Sequence, residues 1–299
     1  MRMNRGNFAT LLTPVHRDIF FLAYNQLAKE YSQVCEVGTL RQAEETFPHM
    51  GAFGLWEENT EGNTINEDDM SEGETATFTA LRYDKGYELT WELVKDDLYN
   101  VMQGMGKKGK SAQALGAGLY ATIETNFADV LNDGFTNTGY DAVSLFSASH
   151  PLADSATLGN NLFTGTLTDT NYKNANILMK DQRDEANIKI KAKIRQLIVP
   201  DELEYVGKGI LQSTNIAGEL SNTKNTAPNS QLVVLSYLDS TTAWFGRDPR
   251  FKNLAHLWRE KPWFDSQPIP KTVDTFMLGF TRCDDGYKDY RGLVGSLGT

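Results

Sequence analysis

The sequence contains little cysteine and no excess of positive charge. Only 2 cysteines occur among 299 residues, Cys35 and Cys283, and two thiols do not make the disulfide framework that staples small secreted domains. We therefore expect free thiols, as in a reducing cytoplasm. The formal net charge is −10, so the net field repels phosphate and unspecific attraction to nucleic acid is not expected.

Long apolar runs are also missing. The most apolar early stretch, Ile19–Ala23, is far shorter than the roughly 20 residues that a helix needs to cross a bilayer. The basic start, Met1–Arg5, lacks the apolar core of a signal peptide. We expect no membrane contact.

Signatures of metal and catalytic sites are absent as well. The sequence has neither H-E-x-x-H nor C-x-x-C, and its histidines are isolated from one another: His16, His49, His150 and His256. Ser147 and Ser149 beside His150 suggest a nucleophile and its base, but G-x-S-x-G is absent and neighbours in sequence seldom form a triad. We predict no cofactor, no metal site and no catalytic residue, and hence no enzyme.

One nucleotide-binding motif does occur. Residues 104–111 match G-x-x-x-x-G-K-S, a loop whose amides cradle phosphates while its Lys and Ser, here Lys110 and Ser111, bind the outer phosphates and Mg²⁺. Such a loop follows a buried strand, whereas residues 95–100 are charged and amphipathic. A solvated bend in a long helix explains the glycines, and a P-loop nucleotide-binding protein that uses Gly104–Ser111 stays as the alternative.

The longest periodic segment runs from Trp91 to Leu131. Its apolar residues recur at steps of three and four: Leu93, Val94, Leu98, Val101, Met102, Met105, Ala112, Leu115, Leu119, Ile123, Phe127, Val130 and Leu131. This spacing predicts one face of a helix, with Thr90 as its N-cap. A helix of that length would span roughly 60 Å, so we predict that it is the spine on which other elements pack.

An irregular acidic stretch covers residues 38–74. The charges that follow Trp56 include no Lys or Arg: Glu57, Glu58, Glu61, Glu67, Asp68, Asp69, Glu72 and Glu74. A compact domain rarely keeps a loop this long without a use. Two explanations stay open, a solvated acidic loop and an extended loop that docks on a basic surface of another subunit. The second predicts contacts between subunits through Trp56, Glu57, Glu58, Glu61, Asp68 and Asp69.

The remaining elements are short and segregated. Pro14, preceded by Thr13 as a possible N-cap, predicts the start of a helix, and further helices are predicted at residues 171–185 and after Pro200. Alternating apolar residues predict strands at residues 75–83, 87–91, 188–199, 232–238, 241–245, 272–282 and 287–293. This balance predicts an α+β fold.

The order of these elements, with four local motifs, resembles the major capsid protein of tailed phages, the Hong Kong 97-type fold. Glu88–Asp97 is similar to that family's strand-to-spine junction. Asp141–Pro151, D-A-V-S-L-F-S-A-S-H-P, is similar to D-G-x-x-L-F-S-x-x-H-P of Mu-like major head subunits, with Ala142 where Gly is usual. Leu197–Glu204 is similar to a strand–proline–helix step, and Arg291-Gly292 to the closing strand.

The resemblance implies a division of the chain. Its parts would be an N-terminal arm, an extended loop, a peripheral domain with the spine helix, an axial domain and the return strands of the peripheral domain: residues 1–35, 36–86, 87–150, 151–270 and 271–299. It carries over no catalytic residues, because the family's function is assembly.

The resemblance also implies partners. Copies of the chain would form hexamers and pentamers of an icosahedral shell enclosing double-stranded DNA, contacted weakly because both are acidic. Portal and decoration proteins would bind the shell, and the short stretch before the first helix suggests that any scaffolding protein is separate. The product would be the virion capsid, assembled in the host cytoplasm. A cellular nanocompartment shell of the same fold is a second alternative.

Overall fold

The computed structural model describes residues 9–70, 72–90, 92–93, 96, 110–152, 155–213, 215, 224–226, 230–269, 272 and 274–299. Its helices are α1 (Ala9–Tyr24), α2 (Tyr31–Val34), α3 (Lys110–Asn132), α4 (Asp169–Asp181) and α5 (Glu204–Gln212). Its strands are β1 (Glu36–Thr39), β2 (Glu44–Met50), β3 (Glu72–Thr79), β4 (Leu81–Leu89), β5 (His150–Leu152), β6 (Ser155–Gly159), β7 (Gln196–Val199), β8 (Gln231–Val234), β9 (Trp244–Arg247), β10 (Leu254–Pro268), β11 (Thr275–Tyr287) and β12 (Leu293–Ser296). The fold is α+β, as predicted.

The first of two larger sheets has the strand order β1-β10-β11-β4. The strands β4, β10 and β11 pair antiparallel, whereas β1 lies parallel to β10. Along β11 every second side chain is buried, including Met277, Thr281 and Cys283, because successive residues of a strand point to opposite faces. One face of this sheet therefore receives the helices.

The second sheet has the order β12-β9-β7-β8. A crossover through α5 joins the parallel strands β7 and β8, while β9 pairs antiparallel with both β7 and β12. All residues of β7, β9 and β12 are buried. Both faces of this sheet are covered: α4 and α5 contribute to the core on one side, and α3 to the core on the other.

The largest core lies between the two sheets and is built around α3. Ile123, Phe127 and Leu131 of α3 pack in one cluster with Trp258 of the first sheet and Phe245 of the second. Burying a side chain of this size contributes about 1.5–3 kcal/mol. The periodic face predicted for the spine helix is thus the face that joins the two sheets.

The predicted spine helix is described only in part. Its second half is α3, which begins at Lys110, and most of residues 91–109 lie outside the described residues. At the predicted start, the Leu93 N–H donates to Thr90 Oγ1 over 3.4 Å, as an N-cap does. Thr90 therefore has the capping contact that the sequence predicted.

Several predicted boundaries are wrong. α1 begins at Ala9 rather than at Pro14, which lies inside the helix; a proline this near the helix start removes only one early hydrogen bond. Residues 188–199 form a ladder only from Gln196, and the predicted strand at 287–293 is the end of β11, a turn and the start of β12. The irregular stretch 38–74 contains β2 and the start of β3, which pair antiparallel.

The sequence gave no sign of the longest strand, β10 (15 residues). Charged residues and Pro262 interrupt its pattern near the middle, and the pairing register with β11 shifts at this point, between Trp258 and Trp263. Bulges of this kind tolerate a proline inside a strand. The strand continues because β11 offers partners on both sides of the bulge.

The domain division stays a prediction. Strand pairing places β10 in the same sheet as β11, although the proposed boundary at residues 270 and 271 separates them. It also places β12, within the proposed return strands of the peripheral domain, beside β9 of the second sheet. These pairings indicate which strands the division has to keep together.

Candidate subunit interface

The long hairpin of β2 and β3 is anchored at its base. Phe78 is buried and contacts Phe47 edge-on at 5.5 Å between ring centroids. Lys288 lies over the Phe47 ring, 4.3 Å from its centroid. The Thr79 N–H donates to Asp284 Oδ2 over 2.7 Å, and burial raises the pKa of Asp284 to about 6. The base of the hairpin is therefore part of the folded body.

The connection between the two strands, residues 51–70, is the loop tip. It exposes large apolar side chains: Trp56 is 98% exposed, Ile65 87% and Leu55 78%. Single exposed apolar residues are ordinary, but a group of them in one segment marks a surface that another molecule covers. The sequence analysis singled out Trp56 and missed Ile65 and Leu55.

The acidic residues predicted to contact other subunits all lie on this tip and all are exposed: Glu57, Glu58, Glu61, Asp68 and Asp69. Two carboxylates bind within the tip itself, since the Gly54 N–H donates to Asp68 Oδ2 over 2.7 Å and Asn66 Nδ2 donates to Glu57 Oε2 over 3.4 Å. The tip combines apolar area with negative charge. Its contact with a second subunit stays a prediction.

The tip faces a basic segment of its own chain across an open cleft. Residues 53–59 and 65–69 line one side, and Arg183 and residues 186–189 line the other. Lys189 on the far side forms an ion pair with Asp181 over 2.6 Å. The cleft thus sets acidic residues of the tip opposite two cationic side chains.

Glu124 joins the spine helix to the N-terminal part of the chain. Its carboxylate is only 3% exposed and accepts hydrogen bonds from the backbone N–H groups of Glu30 and Tyr31 over 2.9 and 3.0 Å. Burial raises its pKa to about 7, against the lowering effect of those two bonds. The sequence analysis missed Glu124, although it lies four residues after Tyr120 on the buried face of α3.

His150 belongs to a buried polar network. His150 Nδ1 lies 2.5 Å from Asp141 Oδ2, and Nε2 lies 3.1 Å from Asn161 Oδ1. The ring stacks on Tyr290 at 3.7 Å between centroids. The hydroxyls of Ser147 and Ser149 contact each other instead. The proposed pairing of a serine with His150 is therefore wrong, because both ring nitrogens already have other partners.

The network also explains a residue of the D-A-V-S-L-F-S-A-S-H-P motif. Ala142 has a backbone φ of +59°, in the left-handed region where a Cβ is unfavourable and glycine is favoured. The turn around it is closed by a hydrogen bond from the Gly139 N–H to the Val143 carbonyl over 2.7 Å. The glycine that is usual at this position of the Mu-like motif would suit this conformation.

Other predicted sites can be placed only in part. Of the P-loop motif, Lys110 and Ser111 lie in the first turn of α3, and residues 104–109 are outside the described ranges. Among the described residues, no group of three or more His, Cys, Asp and Glu side chains is arranged to hold a metal ion. Cys35 and Cys283 are free and buried. No helix within the described ranges is long and apolar enough to cross a membrane.

Comparison with solved structures finds phage capsids. The chain is 16% identical to a chain of the procapsid of bacteriophage JBD30, covering 97% of this chain and 75% of that one with a TM-score of 0.50. It is 12% identical to a capsid chain of the cyanophage P-SCSP1u, covering 90% and 88% with a TM-score of 0.56. A chain of the JBD30 capsid decorated with minor capsid protein trimers matches at 14% identity, covering 71% and 92% with a TM-score of 0.56.

The sequence itself carries the family assignment. None of the curated protein sequences compared with the chain is a significant match. A family model described as phage capsid protein matches residues 73–296, which is most of the chain and both larger sheets. Neither the nucleotide-binding nor the nanocompartment alternative is favoured by these matches. The chain therefore belongs to the phage capsid protein family, and it is a major capsid protein with the fold of the phage heads that it matches.

Proposed function

We propose that copies of this chain assemble into hexamers and pentamers of an icosahedral shell that encloses double-stranded DNA. The observation that carries the proposal is the loop tip, whose apolar side chains are almost fully exposed although the base of the same hairpin is buried. A surface of this kind is stabilised when a second subunit covers it. The contacts would be made through Trp56, Glu57, Glu58, Glu61, Asp68 and Asp69.

The proposal extends to the partners. The decorated JBD30 capsid carries minor capsid protein trimers, and we propose that decoration proteins, a portal and a separate scaffolding protein also bind the shell of this chain. Packaged DNA would be contacted weakly, because the chain has a net charge of −10. The shell would be assembled in the bacterial cytoplasm.

The closer relation to Mu-like head subunits belongs to the same proposal. It is supported by the network around His150, where residues of the D-A-V-S-L-F-S-A-S-H-P motif contact one another: Asp141 binds His150, and Leu145 and Ser147 bind Asn161. The arm, extended loop, peripheral domain and axial domain would be the units that move as the shell expands.

Negative-stain electron microscopy tests the proposal. The protein would be purified after expression alone and after expression with the neighbouring phage genes. We expect closed shells, or rings of five and six subunits, in at least one preparation. A monodisperse monomer in both preparations, with no shells or rings on the grids, would contradict the assembly function.

A further inference from the structure

A row of exposed cations, which we call the basic strip, runs along the segment that enters β7. Its members are Lys189, Lys191, Lys193 and Arg195, all exposed, with Arg250 beside them. Between them, Ala192 and Ile194 are fully buried. The apolar residues hold the segment against the core, so every second side chain points its charge to solvent.

The buried carboxylate of Asp248 holds this row in place. It accepts a hydrogen bond from the Lys193 N–H over 3.0 Å and forms ion pairs with Arg195 at 3.5 Å and with Arg250 at 2.6 Å. Arg250 Nη2 also donates to the Lys191 carbonyl over 3.0 Å. Burial acts to raise the pKa of Asp248, but the hydrogen bonds from Arg250 and the backbone outweigh it and lower the pKa. The strip is therefore organised before any partner binds.

The strip has positive charge to spare. Arg195 and Arg250 share Asp248, and Lys189 pairs with Asp181. For Lys191 and Lys193 the described part of the chain shows no acidic partner within ion-pair distance. On a chain with a net charge of −10, a row of this sign is a local exception, and it fits an acidic partner.

We propose that the basic strip receives the acidic loop tip of a second copy of the chain. Charge complementarity supports this occupant, because the tip carries Glu57, Glu58, Glu61, Glu67, Asp68 and Asp69 with no Lys or Arg between them. The cleft within one chain already sets the tip opposite Arg183 and Lys189 at the start of the strip. This approach leaves Trp56 98% exposed, so the tip of the same chain does not complete the contact.

The inference rests on the proposed function, since it names the surface that the tip would meet in the shell. Ion pairs at a solvated surface contribute little singly. Several of them together set the register and the choice of partner, while the apolar residues of the tip are buried alongside.

Charge reversal at the two unpaired lysines tests the inference. The variant Lys191→Glu/Lys193→Glu should fold like the wild type, because both side chains are exposed, and should reduce the yield of shells by about tenfold or more. The matched control is Lys85→Glu/Lys261→Glu, which changes the charge equally at exposed positions away from the strip. Circular dichroism, light scattering and electron microscopy would follow folding and assembly.

A charge swap identifies the partner. Glu57→Lys/Glu58→Lys should also block assembly, and combining it with Lys191→Glu/Lys193→Glu should restore shells. If the wild type forms no shells, the proposed function fails; if the wild type, the strip variant and the control all assemble alike, the inference alone is overturned. It is equally overturned if the strip variant forms normal shells but loses binding of a short DNA duplex, which would assign the strip to phosphate.

Discussion

Ala142 illustrates how a single residue can depart from its surroundings. Its φ of +59° places it in the left-handed region, which costs an L-residue with a Cβ roughly 1–2 kcal/mol. The side chain is exposed and contributes no packing that would offset this. The cost is retained because the turn brings Asp141 to His150 in the buried network.

The substitution Ala142→Gly should therefore stabilise the protein. Relief of the left-handed strain exceeds the extra chain entropy of glycine, and we expect a gain of about 0.5–1 kcal/mol in the free energy of unfolding, measured by chemical denaturation. Ala148→Gly is the control, because Ala148 is exposed in the same loop and its φ is not positive. A loss of stability in both variants would refute the explanation.

Glu124 predicts a pH dependence. Its pKa is raised from 4.5 to about 7 in the folded chain, so between these values the folded state binds more protons than the unfolded state. The contribution is complete below about pH 4.5 and is lost as the pH rises through 7, on the order of 3 kcal/mol in total. The wild type should therefore lose stability over this range.

Glu124→Gln isolates this effect. The variant removes the ionisable group but keeps an acceptor for one of the two backbone N–H groups, so its unfolding free energy should depend less on pH between 5 and 8. A residual slope of the same sign is expected, because burial also raises the pKa of Asp284 to about 6. Equal slopes in both proteins, measured by denaturant titration at each pH, would show that Glu124 is not the titrating group.

At the scale of elements, the contact of α1 with α3 depends on one glycine. A Cβ built on Gly116 would overlap the Phe20 carbonyl and lie 3.2 Å from Ala23 Cβ. The two helices can approach this closely only because Gly116 has no side chain. Gly118, two residues further along α3, has nothing within 4 Å of such a Cβ.

The two glycines predict opposite results on the same helix. Gly118→Ala should gain about 0.5–1 kcal/mol from helix propensity. Gly116→Ala should lose about 1–3 kcal/mol, because the overlap separates the helices by more than propensity restores. Thermal and chemical unfolding of the two variants would be compared, and a similar gain in both would mean that the helices are not in contact.

The elements also show which patterns could be read from the sequence. Alternation in β11 and the apolar face of α3 were predicted, because burial on one side gives a regular period. The strand β10 was not, since its charged middle and Pro262 have no period of their own. The hairpin of β2 and β3 was missed for a related reason: its residues alternate between exposed and half-buried, so the apolar signal is weak.

At the scale of the whole molecule, the long hairpin divides folding from assembly. Its base is part of the core, with Phe78 only 2% exposed, whereas Trp56 on the tip is 98% exposed. Side chains that remain in solvent contribute almost nothing to the stability of the single chain. The two ends of the hairpin should therefore respond differently to substitution.

Trp56→Ala should leave the unfolding midpoint of the subunit unchanged and lower the yield of shells. Phe78→Ala should instead cost about 3–5 kcal/mol of unfolding free energy and reduce the amount of folded protein. Denaturation of unassembled subunits, followed by electron microscopy of assembly mixtures, separates the two effects. A clear fall in subunit stability for Trp56→Ala would mean that the tip packs within its own chain.

The sequence by itself determined the class of fold, the apolar face of the spine helix and the position of the acidic loop, because these depend on local period and composition. Its motifs were also sufficient for the family. Only the tertiary structure decided that Asp141, His150 and Asn161 form one network, that α3 joins two sheets and that the loop is anchored at its base. It also showed that the basic strip is exposed and organised by Asp248 from another strand connection. Such contacts join residues far apart in the chain, and no local pattern specifies which distant side chain will neutralise or cover another.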